Sequence, residues 1–525
     1  MTTNVVNLDA LIPREDLAVD SGAPNVSRLE KIDIRHLEEG FFLSALRKPD
    51  FQRETAHWSP AKVADLVRAF VDGDLIPAVI LWQSGRDVFI IDGAHRVSAL
   101  LAWVHNDYGD GKKSTVHFEA RIPEEQKKIA DRTRKLVHGE IGSYADYIAA
   151  SKNLANAADK VKERVGRLAT NSLVAQWVPA SDAKAAEDSF FKINQAATPI
   201  DRVETTILRA RNSANAISAR AIVRAGTGHK YWGGFGTERQ ATIEEMGRKI
   251  HSALYDPPLG DLPIKTLDVP VAGRGYNALP FVFDLVNQAN GIRIIDAPRK
   301  EPTKLPEDKD GERTMEFLGN VHRAVEQITT THPGSLGLHP IVYFYTRGGA
   351  FQPATFIGVT KLIATLEKEN KLKVFAGVRQ ALENFLMENK DFISKVVHKF
   401  GSGDRSADWF YKLYLRLFSD FTTGRSPPHV SAGLADDRDF AFLTVPSPRE
   451  AAPGDGQKRR FSRGVKSAAF FEEAIPGAVR CSVCKALVHR NSMHVDHVQR
   501  KRDGGAHDLT NAAVSHPFCN STVKH

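Results

Sequence analysis

The sequence predicts an α+β protein of several domains: a mixed α/β unit first, a largely helical middle, and a small metal-stapled module last. Three observations carry this expectation. Short β-rich runs alternate with helix signals early in the chain, and apolar residues at three-four spacing dominate the middle. All three cysteines fall between positions 481 and 519, among histidines and asparagines.

A length of 525 residues exceeds what one hydrophobic core usually organises, so more than one domain is expected. Hydrophobic content of 42% and charged content of 26% are those of a globular protein. The start, MTTNVVNLDALIPRED, has neither a basic opening nor an apolar run, which argues against a signal peptide. No apolar stretch reaches the roughly 18 residues that crossing a bilayer requires. Three cysteines are too few for a disulfide framework. The expectation is a cytoplasmic protein with no membrane partner.

In the first segment, SPAKVADLVRAFVDG predicts a helix with Ser59 as N-cap, Pro60 in its first position and Gly73 ending it. AVILWQ and DVFIID, joined at Ser84-Gly85, predict a β-hairpin, and a second helix should follow from His95. Asp92-Gly93 then marks a strand end that opens a helix. A glycine there lets backbone N–H groups approach a phosphate, and Arg96 on the first turn can clamp one. His95 alone reads as a polar helix-start residue. In the middle, Met315, Leu318, Val321, Val325 and Ile328 form one apolar stripe, and Val374, Val378, Leu382, Phe385 and Leu386 a second. HKYWGGFGTERQ reads as a buried turn. Pro, Gly and charge from Ser426 to Gln457 read as a linker. The expected domains are therefore 1–210, 211–425, a linker over 426–457, and 458–525.

The net charge of +8 is concentrated at the end. From Gln457 onward there are twelve Lys/Arg against five Asp/Glu, which suits a surface that attracts phosphates. In the same stretch Cys481 and Cys484 form a C-x-x-C knuckle, and His516 and Cys519 an H-x-x-C pair. Two such knuckles supply four ligands for a tetrahedral structural Zn²⁺, without which so short a segment buries too little apolar surface to fold.

Around this zinc set stand Asp496-His497, Gly504-Gly505, Asn511 and Asn520, in that order. The last 45 or so residues thus resemble the zinc-knuckle branch of the HNH (ββα-metal) nucleases. The resemblance implies that His497 is the general base and that Asp496 and Asn520 hold one Mg²⁺ or Mn²⁺ ion at the scissile phosphate. It also implies that Asn511 fixes the loop orienting His497. Asn520 stands where a final His is more familiar. An imidazole titrating near neutrality suits the base role, and hard oxygen ligands suit such an ion.

Gln52, Arg53 and Trp58, then Pro77, then Asp92, Gly93, His95 and Arg96, and later Phe191, Asn194, Ile200 and Glu204 carry a second resemblance. To about residue 210 the chain is similar to the N-terminal domain of GmrSD-type restriction enzymes, of the ParB/sulfiredoxin-like group. That group's D-G-x-x-R corner implies nucleotide binding through Asp92, Gly93, His95, Arg96, Gln52 and Arg53, with ATP, GTP or CTP as ligand and NTPase activity conceivable. Asp201 and Glu204 also fit a capping box.

Together these readings predict a DNA endonuclease or nickase whose HNH module is regulated by a nucleotide-responsive N-terminal domain. The role implied is restriction or anti-phage defence, with modified phage DNA as one target and a homodimer as one assembly. Two rivals are a mobile-element (homing-type) nuclease and a nucleotide-dependent DNA-binding regulator whose HNH module does not cut.

Overall fold

Ser59 accepts a hydrogen bond from the Lys62 amide at 3.3 Å and Gly73 closes the far end with φ +81, so the helix Pro60–Asp72 begins and stops at its sequence signals. The computed structural model describes residues 5–15, 28–38, 40–50, 52, 58–179, 183–196, 202–260, 262–273, 278–293, 305–401, 403–445 and 460–524. Its chain divides into two compact units. One comprises Met1–Ile217, Thr227–Gly234 and Lys304–Glu307; the other comprises Ser218–Gly226, Phe235–Thr303 and Asp308–His525.

The first unit is built on six strands: β1 (Arg14–Glu15), β2 (Lys31–Asp33), β3 (Leu46–Pro49), β4 (Val79–Ser84), β5 (Asp87–Asp92) and β6 (Ser172–Trp177). They form one mixed sheet in the order β1-β3-β5-β4-β6-β2. β4 and β5 are the expected antiparallel hairpin, while β1–β3, β3–β5 and β4–β6 pair in parallel. Successive residues of β5 serve opposite faces. Ile90 joins a core with Val63, Val67, Leu100 and Trp103, whereas Phe89 and Ile91 pack with Ala186 and Phe190. Apolar residues on both faces explain why these strands read as unbroken hydrophobic runs. The turn containing Trp232, which is fully buried, also belongs to this unit.

The second unit is largely helical. The helix Glu312–Ile328 buries Leu318, Val321, Val325 and Ile328, as its spacing predicts. The helix Leu372–Glu388 meets expectation in part: Leu382, Phe385 and Leu386 are buried as predicted, but Val374 is exposed, and the inward face also takes in Phe375, Ala376, Arg379 and Glu383. A charged pair sits within that face, so apolar spacing alone misplaces it. The expected linker is also corrected in its first part. Pro427–Asp436 is a helix that buries Val430 and Leu434, and Phe440 and Leu443 are buried after it. Residues 446–459, the rest of that segment, lie outside the described residues. The unit ends in β7 (His494–His497) and β8 (Ala512–Ser515), an antiparallel pair, followed by a short π-helical turn at Cys519–Val523.

Candidate functional site

In the first unit, β5 ends at Asp92 and the helix Ala94–His105 begins two residues later, with Gly93 at φ +100 between them. A Cβ on Gly93 would lie 3.0 Å from Arg96 Nη2 and 3.1 Å from Val79 Cγ2, so the turn requires glycine on both counts. Arg96 Nη2 donates to Asp92 Oδ2 at 2.6 Å and to the Ala78 carbonyl at 3.0 Å, so the guanidinium is anchored to its own corner. Its buried Nε has no hydrogen-bond partner among the described residues. Gln52, 5% exposed, donates from Nε2 to the carbonyls of Ile90 at 2.5 Å and Ile91 at 3.0 Å, and its Oε1 is likewise unpaired. The His95 ring stacks on Trp58 with centroids 5.6 Å apart. Arg53, Ile200 and Asp201 lie outside the described residues, as does the side chain of Asn194. A buried group that the sequence did not reveal supports this corner. Asp9 accepts from Arg14 at 2.7 Å and Lys48 at 2.8 Å, and Arg14 Nη1 donates to the Gln52 carbonyl at 2.6 Å.

In the second unit, Cys481, Cys484, His516 and Cys519 bring their ligand atoms within 4.8 Å of one another. His516 Nδ1 lies 3.3 Å from Cys484 Sγ and 3.9 Å from Cys519 Sγ. An N···S edge of a tetrahedron built on ordinary Zn–N and Zn–S bonds is about 3.5 Å. Hydrogen bonding from the Cys484 and Cys519 thiols pushes Cys481 toward thiolate, and the same contacts push Cys484 and Cys519 up. Crowded sulfurs cannot all ionise unless a cation neutralises them, so this donor set fits Zn²⁺. His516 Nε2 meets the Leu487 carbonyl at 3.0 Å, which orients the ring and leaves Nδ1 for metal.

The knuckle is braced from outside the last 45 residues. Arg379, fully buried, donates to the carbonyls of Leu336 and Gly337 and, through Nε, to Glu383 at 2.6 Å; its Nη1 is 3.4 Å from His516 Nδ1. Glu383 also accepts from the Leu487 amide at 3.2 Å. The Phe518 amide donates to the Ser335 carbonyl at 2.9 Å. Gly337 stands so close that a Cβ there would lie 2.7 Å from His516 Cδ2.

Asp496 and His497 project from β7, paired with Ala513 and Ala512 of β8. Asp496 Oδ2 accepts from Lys524 Nζ at 2.5 Å, and the same ammonium reaches the His497 carbonyl. Partial burial opposes ionisation of Asp496, but the bond and charge of Lys524 hold its carboxyl below the usual range. Asn511 clamps the loop after β7: Nδ2 donates to Gln499 and Ala506 carbonyls at 3.0 and 2.7 Å, and Oδ1 accepts from the Gln499 amide at 2.7 Å. His497 Nε2 meets His507 Nδ1 at 3.0 Å. The Asn520 amide donates to the His516 carbonyl at 2.9 Å, which places Asn520 on the closing turn.

Residues 481–525 match the family model described as HNH endonuclease, and residues 33–211 match that of the GmrSD restriction endonuclease, N-terminal domain. The chain carries a GmrSD-type N-terminal domain and an HNH endonuclease domain. Searches of curated proteins and of solved structures each found no significant match. The HNH domain here thus carries its Asp-His pair on the β7 strand of a hairpin, and its zinc-type cluster joins the turn of Cys481 and Cys484 to His516 and Cys519 after β8. No helix of the described residues is long and apolar enough to cross a membrane. Sequence reasoning missed two groups at this domain: His507 is an exposed loop histidine with no motif, and Arg379–Glu383 lies a hundred or so positions away. Lys524, one position later than the basic residue expected after Asn520, is found on Asp496.

Proposed function

We propose that this protein is a metal-dependent DNA endonuclease or nickase of restriction type, in which His497 is the general base. The observation that carries this reading is the β7 pair Asp496-His497, backed by the Asn511 clamp and tied through β8 to the metal cluster. His497 accepts the proton of the attacking water, and Asn511 keeps the loop, and with it the base, in register. Cys481, Cys484, His516 and Cys519 hold a structural Zn²⁺. Asp496 and Asn520 supply hard oxygen ligands suited to Mg²⁺ or Mn²⁺. When bound, such an ion stabilises charge on the phosphate and on the leaving 3′ oxygen. Lys524 lies beside that carboxylate and must yield it at least in part, which frees an ammonium for a DNA phosphate. The basic residues of the last segment supply affinity that does not depend on the base sequence.

In the GmrSD-type domain, Asp92, Gly93, His95, Arg96, Gln52 and Arg53 form the proposed nucleotide site. Its support is the left-handed Gly93 at a helix start with Arg96 Nε beside it, and the nearby strand end that Gln52 holds, Arg96 Nε and Gln52 Oε1 both lacking a hydrogen-bond partner among the described residues. Binding of ATP, GTP or CTP there controls cutting, in a cytoplasmic defence role against foreign DNA. Conversion of supercoiled plasmid to nicked or linear DNA with Mg²⁺ or Mn²⁺, with and without each nucleotide, tests both parts. Retained DNA binding without any cleavage would instead favour a regulator with a non-cutting HNH domain.

A further inference from the structure

We propose that His507 is a positioning residue for His497: it receives the Nε2–H of the base, holds the ring, and leaves Nδ1 as the proton acceptor. The inference rests on the endonuclease reading above and deepens it. Its starting point is geometry. His497 Nε2 and His507 Nδ1 are 3.0 Å apart, and the rings stand nearly perpendicular, at 87°, with centroids separated by 4.9 Å. A nitrogen–nitrogen hydrogen bond contains one proton, so one ring donates and the other accepts. No other side-chain hydrogen bond is made by either ring among the described residues, so neither His497 Nδ1 nor His507 Nε2 is engaged there.

His497 can act as a base at its free Nδ1 only if that atom bears a lone pair. The proton then resides on Nε2 and points to His507 Nδ1, which fixes the roles of both rings. In the reaction an O–H bond of water breaks and an N–H bond forms at Nδ1. The electron pair stays on the oxygen, which bonds to phosphorus as the P–O3′ bond breaks and its pair leaves with the 3′ oxygen. The imidazolium so produced donates a charge-assisted hydrogen bond to neutral His507, which is stronger than the bond made before the transfer. An interaction that strengthens along the reaction lowers the barrier rather than only the ground state.

The placement of His507 is built. It lies between Gly505 and Asn511 in the loop that Asn511 clamps at Gln499 and Ala506. A Cβ on Gly505 would lie 2.0 Å from the Gln499 carbonyl, so the chain approaches there as closely as glycine allows. The neighbouring charges are otherwise engaged: Asp496 with Lys524, and Asp508 Oδ1 with Thr510 and the Asn511 amide.

Single-turnover and steady-state cleavage by the full chain, comparing parent, His507→Ala and His507→Asn, decides the matter. Asn places Oδ1 near the position of Nδ1 and can still accept the Nε2–H. His507→Ala should lose about tenfold in kcat, with KM, zinc content and melting unchanged. His507→Asn should recover most of that loss. In proton NMR, the His497 Nε2–H should be exchange-protected in the parent and unprotected in His507→Ala. A cutting parent whose His507→Ala variant matches it, or whose His507→Asn variant is no better than His507→Ala, overturns this inference alone. A parent that cuts no DNA removes the endonuclease reading and this inference with it.

Discussion

Asn511 and Gly505 work as one device, because the clamp closes only where the backbone carries no side chain. A Cβ at Gly505 would collide with the Gln499 carbonyl at 2.0 Å and with Asn511 Nδ2 at 2.7 Å. Gly505→Ala is therefore expected to open the loop and lower cleavage at least tenfold, with the metal cluster intact. Cleavage kinetics beside a zinc assay check this, and unchanged cleavage would show that the loop tolerates a shift. The zinc-type ligands were legible in the sequence because metal chemistry restricts both residue type and spacing, and the roles of Asp496, His497 and Asn511 rest on the resemblance to HNH nucleases. His507 was not legible, since a single exposed loop histidine has no spacing to betray it. Its meaning comes only from the fold that brings it to His497.

At the scale of elements, the closing hairpin and turn depend on both metal and neighbouring helix. Elemental analysis should find about one Zn²⁺ per chain. Cys519→Ser should abolish that content and lower the melting transition of the second unit, because Glu383 and Ser335 bond directly to the knuckle region. The first unit, with its own sheet and core, should keep its transition. Acid should also weaken the second unit. Burial pushes His489 down to about 4, and the ring packs edge-on against buried His339, likewise held well below the usual histidine value by burial. Below about pH 6.5 the unfolded chain takes up the His489 proton first, so its contribution is lost as pH falls from 6.5 toward 4. That contribution is on the order of 3 kcal/mol, and His489→Asn should flatten the acid limb of a melting-versus-pH curve; an unchanged limb would place the acid sensitivity elsewhere.

Helix boundaries were readable where capping and breaking residues carried them, as at Ser59, Pro60 and Gly73. They were not readable at Pro427–Asp436, where Pro, Gly and charge resemble a linker. Two prolines at a helix start and a buried Val430 and Leu434 turn the same composition into structure. The inward face of Leu372–Glu388 was readable only in part, at Leu382, Phe385 and Leu386, for a related reason. Its centre is an Arg379–Glu383 pair that satisfies itself and the knuckle, and hydrophobic spacing is blind to a buried ion pair.

For the whole molecule, the proposal is that a nucleotide at the strand–helix corner biases cutting by the HNH domain. Such control requires unequal nucleotide affinity for the restrained and the cutting state. Arg96→Ala removes the guanidinium that ties Asp92 to Ala78, so nucleotide affinity should fall roughly ten- to a hundredfold. Calorimetry with ATP, GTP and CTP on parent and variant checks this. A parent that binds none of them, and whose cutting is indifferent to all, leaves the corner a structural turn. The helical middle gave no function in the sequence, because amphipathic helices specify a core and little else. Its bonding to the knuckle shows one task that it performs.

The central claim is that His497 cuts DNA as a general base. Plasmid cleavage in Mn²⁺ by parent and His497→Ala, with DNA affinity measured on the same preparations, tests it most directly. The parent should cleave, His497→Ala should show no detectable cleavage, and their affinities should agree within about twofold, since the base acts in the transition state and the basic segment binds. Cleavage by His497→Ala at the parent rate would contradict it.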